Sequence, residues 1–174
     1  MRLHDQIEPT VAAHHRVWVN RQVQDHVRNA ELFRDFIWLE DVHYLLVGFD
    51  AVSDMQRLDR TERAFLVSES ERRWRADGCS VAATYYLVHI LSVLDAFSDD
   101  IKREIGSKWL PEYARDLGTM NLGDKLETAW RVVAIANVFR PGECPELTEV
   151  EQLRQNLTVV FGPKVLWSAW RSLS

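Results

Sequence analysis

Arg21 and His26 stand four intervening residues apart, a little over one turn if that stretch is helical. A guanidinium that holds a phosphate beside an imidazole that accepts a proton from a ribose hydroxyl is the minimal equipment of a metal-independent ribonuclease. The blander alternative puts both residues on a solvated face of the first helix. Glu40 and His43 make a second pair, Glu-x-x-His, the spacing with which helical bundles aim a carboxylate and an imidazole into one core to hold a metal. A carboxylate-bridged site needs that motif twice. The second long apolar segment offers His89 with Tyr86, not Glu, three residues before it. At most the pair supports a mononuclear site using His43; otherwise Glu40 is solvated and His43 is satisfied at the edge of the core.

Other candidates are poorer in chemistry. His14-His15 and Asp99-Asp100 are sequence neighbours, which diverge around a helix and cannot converge on one ion or one proton. Arg72-Arg73-Trp74-Arg75 is the local cluster of basic and aromatic residues, and RNA contact rests on it alone, diluted by Glu69 and Glu71. With 21 basic against 26 acidic residues and a net charge of −5, no overall field attracts a phosphate backbone. Trp167 and Trp170, three apart beyond Pro163, form an apolar edge for a partner or for the chain's own core.

The elements that must position these residues are helices. At 174 residues with 47% apolar side chains, seven Gly and five Pro, one well-buried all-α domain is expected. The first segment runs from Pro9 to about Asn29, and Leu32, Phe33, Phe36, Ile37, Tyr44 and Val47 continue its apolar periodicity to Gly48 as one long helix or two. Ser53-Asp54-Met55-Gln56 reads as a capping box for a third segment ending at Asp77-Gly78, with a solvated Arg/Glu-rich outer face. Val81 to Ile105 is the most apolar helix and the expected centre of the bundle. Further helices are expected from about Asp124 to Val138 and from Thr148 to Pro163. Cys79 and Cys144 sit in no CxxC pair, and no secretory signal or membrane-length apolar run is evident, so a reduced, cytoplasmic setting without a cofactor is expected.

The stretch Pro145 to Lys164 carries Arg154-Gln155-Asn156 and then runs apolar into Gly162-Pro163. It resembles the closing helix of the HEPN superfamily, where an Arg-Asn pair is followed by small apolar residues, a His, and Gly or Pro. Leu87 to Phe97 is similar to the central helix of those families, an aromatic- and Leu-rich run before an acidic residue and a Phe. Lys125-Leu126 through Pro145 and Leu147 to Leu153-Arg154 resembles the spacing that leads to the signature. The resemblance spans roughly Val81 to Lys164. It implies an all-α bundle and, in active members, a metal-independent ribonuclease site built by Arg and His of both subunits. Here Val160 or Phe161 stands where the His would be, so Arg154 and Asn156 alone carry over. The expectation is a single all-helical bundle of about six helices without a complete ribonuclease motif. It would bind a protein partner, form a homodimer through the helix of Arg154 and Asn156, and belong to a toxin–antitoxin or phage-defence system.

Overall fold

A computed structural model describes residues 17–18, 21–22, 24–51, 58–118, 126–139 and 148–161. Among them every regular element is helical and there is no strand, as the apolar periodicity and scarce Gly and Pro require. No described helix is long and apolar enough to cross a membrane. The helices gather into two compact units, Met1–Ala96 and Phe97–Ser174, each described by itself.

In the first unit, helical residues 24–28 give way to a 3-10 turn, Ala30–Leu32, before α1, Asp35–Ala51. The two segments left joined or separate by periodicity are therefore separate. The cause lies far away in sequence. Arg73, with 1% of its side chain accessible, donates from Nη1 to the Phe33 carbonyl at 2.9 Å and from Nη2 to the Ala30 carbonyl. Its Nε donates to Glu69 Oε1 at 2.7 Å, and its Cζ lies 4.9 Å from the centre of the Trp38 ring. The guanidinium meets the Phe33 carbonyl, which a continuous helix would satisfy internally, and joins the Phe33 amide on the Ala30 carbonyl, which holds Phe33 extended and turns the chain.

Helix α2, Arg60–Ala76, opens on a capping box at Asp59, whose Oδ1 accepts from the Glu62 amide at 2.8 Å while Glu62 Oε2 accepts from the Asp59 amide at 3.0 Å. The box expected at Ser53 falls among residues 52–57, outside the described residues. Leu58 precedes the helix and is buried. Gly78, at φ 73°, closes α2: its amide bonds to the Arg75 carbonyl at 3.1 Å and the Cys79 amide to the Trp74 carbonyl at 3.0 Å.

Ser80 then caps α3, Val81–Val93, in which every side chain from Ala83 through Leu91 is buried against α1 and α2. Among its polar members, Thr84 Oγ1 accepts from Trp74 Nε1 at 2.8 Å. The expected run to Ile105 is cut at Asp95, φ 50°, where the same pair of closing bonds recurs, from Asp95 to Ser92 at 3.1 Å and from Ala96 to Leu91 at 2.9 Å. The stop signal was hidden because Asp, not Gly, fills the left-handed position.

The second unit contains α4, Asp99–Glu104, a π-helical stretch, Ile105–Trp109, and α5, Leu110–Gly118. Gly106 does not break this run. The wide turn precedes Pro111, which has no N–H to offer the Ser107 carbonyl and whose ring would crowd it in a regular helix. Helices α6, Leu126–Asn137, and α7, Thr148–Phe161, pack on α5 and on each other. Their shared core includes Leu110, Ala114 and Leu117, Val132 and Val133, and Leu153 and Leu157.

Two outcomes test these local causes by urea unfolding. Arg73→Met should cost about 2–3 kcal/mol, since it takes the donor from the Phe33 carbonyl and the second cation from Glu69, which keeps Arg72. Asp95→Gly should raise stability by on the order of 1 kcal/mol and Gly78→Ala lower it by a similar amount, because only glycine takes a positive φ without strain.

Candidate functional site

Helices α1 and α3 lie side by side in the first unit and bring together the polar groups with most chemical capacity. Glu40 and His43, one turn apart on α1, meet Tyr86 and His89, one turn apart on α3. The Tyr86 hydroxyl donates to Glu40 Oε1 at 2.7 Å. The His43 and His89 rings stand edge to face, centroids 5.0 Å apart at 81°. Tyr85 lies 4.4 Å from His89 and 5.7 Å from His43, and Tyr86 5.3 Å from His43, so the two imidazoles sit inside an aromatic box. Both are buried, and Nε2 of His89 has no hydrogen-bond partner.

Burial dictates their charge. Desolvation pulls His43 down to about 4, with Glu40 pushing weakly the other way. His89 falls to about 3, through burial first and the neighbouring His43 second. At neutral pH both rings are therefore uncharged, the form that accepts a proton or ligates a metal. Among the described residues no group of three or more His, Cys, Asp or Glu side chains is placed to hold a metal ion. One Glu40 oxygen, Oε1, is already taken by Tyr86. The expectation of Glu40 solvated and His43 at the core edge is thus corrected: Glu40 is half-buried and bonded, and His43 is fully inside. His89 is the member that sequence reasoning passed over, because a Tyr stands where the metal motif has Glu.

Arg21 and His26 do not form a site. Arg21 is exposed, whereas the His26 ring is buried, stacked on Phe33 at 4.5 Å. His26 Nδ1 donates to the Gln22 carbonyl at 2.8 Å, and Nε2 lies 3.5 Å from Asp41 Oδ2. A ring with Nδ1 so engaged can donate to Asp41 only after taking a second proton. The solvated helix face expected for the pair holds for Arg21 and fails for His26, which anchors the turn into α1 together with Trp38, whose Nε1 donates to the His26 carbonyl at 3.3 Å.

The basic-aromatic cluster is equally committed to its own chain. Arg73 is the buried clamp and Trp74 is in the core. Arg72 makes two 2.8 Å bonds to Glu69, which hold the Glu69 carboxyl below its ordinary range. That leaves no row of open guanidinium groups for phosphates.

In the second unit Arg154 is half-buried on α7. Its Nη2 donates to Asn137 Oδ1 at 2.8 Å and Nη1 pairs with Glu151, while Nε is buried without a partner. The Asn156 side chain, Trp167 and Trp170 lie outside the described residues.

Protonation of the histidine pair should govern acid stability. The unfolded rings bind a proton near 6.5, the folded rings at about 4 and about 3, so the unfolded chain holds more protons at any pH between. Stability is complete above pH 6.5 and falls as the pH drops toward 4, by on the order of 2 kcal/mol for each histidine at pH 5. The urea midpoint should fall between pH 7.5 and pH 5, and the double substitution His43→Phe with His89→Phe should flatten that slope.

Compared with models of protein families, with curated proteins and with solved structures, the chain matches none. What it does must be argued from its own geometry.

Proposed function

We propose that this chain is a non-catalytic, HEPN-like helical binding module whose ligand is a protein. One observation carries the reading: the side chains that could do ribonuclease chemistry are spent on the chain's own structure. His26 bonds the Gln22 carbonyl and stacks on the Phe33 ring, and Arg154 spends its terminal nitrogens on Asn137 and Glu151. A ribonuclease needs a proton acceptor and a phosphate-binding cation open to the same ligand. Arg21 is open and His26 is not.

The setting in a toxin–antitoxin or phage-defence system belongs to the HEPN-like reading and rests on the Arg154-Gln155-Asn156 stretch. Homodimer formation through α7 draws less support, because Arg154 has in-chain partners. The second reading is a mononuclear metal bundle at His43. It is favoured by one feature, the placing of His89 directly against His43 with a buried, unbonded Nε2.

Incubation of the purified chain with single-stranded and structured RNA in chelator separates these readings. Cleavage no greater than in buffer is the expected result. Cleavage that disappears in His26→Ala would assign the site to Arg21 and His26. Stoichiometric zinc that co-purifies and is lost in His89→Ala would support the metal bundle.

A further inference from the structure

Helix α1 is apolar on two sides. Its inner arc, Trp38, Leu39, Val42, Leu45 and Leu46, is buried. Its outer arc carries Ile37, Tyr44 and Val47, which remain 45%, 61% and 37% exposed. These are the residues that periodicity alone places with the core. A helix with apolar residues on both sides is normally covered on both, and among the described residues the outer arc is met only at Tyr44, whose ring lies against His43 and Tyr86, so most of it is open to a neighbour. Ile37 and Tyr44 are seven residues apart and Val47 three further on, the a, a and d positions of a heptad register whose intervening d is Glu40, half-buried and held by Tyr86.

Charge decides which helix. From Asp35 to Ala51 the sequence holds Asp35, Glu40, Asp41 and Asp50 and no Lys or Arg. Asp35 faces Arg72 and Arg73, each at 3.6 Å, and Glu40 accepts from Tyr86. Asp41, one turn from both Ile37 and Tyr44, keeps 43% of its side chain accessible and, among the described residues, has the 3.5 Å approach of His26 as its one polar contact. A second copy docking through this arc about a two-fold axis at the middle of the seam would set Asp41 against Asp41, and α1 itself brings no Lys or Arg to offset them. A partner with a Lys or Arg at that height gains what the second copy loses.

We infer that the Ile37–Tyr44–Val47 arc of α1 is a docking seam for an amphipathic helix of a partner protein, one with apolar residues at heptad spacing and a basic residue opposite Asp41. This inference rests on the binding-module reading and supplies its surface and the chemistry of its partner.

Fluorescence anisotropy of the full chain with a labelled synthetic helix tests it. The probe carries Leu at heptad a and d positions and Lys at the flanking ones; a control replaces each Lys with Glu. The Lys helix should bind, and the Glu helix should bind on the order of tenfold more weakly or not at all. Ile37→Lys, at an exposed position and checked for folding by circular dichroism, should abolish binding of the Lys helix. Asp41→Lys should reverse the preference between the two probes. Binding that neither substitution changes would place the probe elsewhere and overturn the seam. So would sedimentation as a dimer that Ile37→Lys converts to monomer, since the occupant would then be a second copy. Failure of both probes in a chain that does not cleave RNA overturns the seam and leaves the binding-module reading standing, whereas RNA cleavage overturns the latter.

Discussion

The first unit depends on the burial of one cation. Arg73 sits in the interior with Glu69 on its Nε, two backbone carbonyls on its outer nitrogens and the Trp38 ring within cation–π distance. Removing a guanidinium from water costs several kcal/mol, and the cost is recovered only because nearly every donor is met. The consequence is positional. By holding the Ala30 and Phe33 carbonyls, Arg73 ends the helical turns before Asn29, starts α1 at Asp35 and thereby fixes which arc of α1 faces α3. His43 reaches His89, and Glu40 reaches Tyr86, because α1 enters at that angle.

The same clamp explains where sequence reading succeeds and where it stops. Local signals were enough for helix content, for the start of α3 and for the end of α2 at Gly78, because caps and left-handed glycines act within a few residues. The break between residues 28 and 35 was not legible: its cause is an arginine some forty positions later that looked like one of a solvated cluster. Asp95 was missed because its side chain tolerates a conformation for which glycine is the usual marker. On α1 the period was read correctly and the face was not. Ile37, Tyr44 and Val47 are as periodic as Trp38, Val42 and Leu45, and a helix apolar on both sides gives no way to choose between them without its neighbours.

The candidate site was half legible. Glu40 and His43 were visible as a pair because their spacing is a helical one. His89 was discounted by the same motif logic, since Tyr86 replaced the carboxylate that a metal bundle requires. In three dimensions that Tyr is the point: its hydroxyl occupies the Glu40 oxygen and leaves two neutral imidazoles facing each other. For Arg154 the sequence showed a polar residue on an otherwise apolar helix and suggested an intermolecular partner. Asn137, on the neighbouring helix, supplies one from within the chain.

The two faces of α1 are joined thermodynamically. On its packed side α1 sets His43 against His89 of α3, both resisting protonation through burial, and on its outer arc it carries apolar residues around Asp41. Anything that binds the folded form at the outer arc adds its binding free energy to the stability of the unit, while a proton on His43 or His89 subtracts from it. A ligand of the seam therefore raises the resistance of the inner pair to protonation whenever opening of the unit is the route by which protons enter. No coupled motion is needed for this. One helix packed on one side and exposed on the other is enough, because both events draw on the same folding equilibrium.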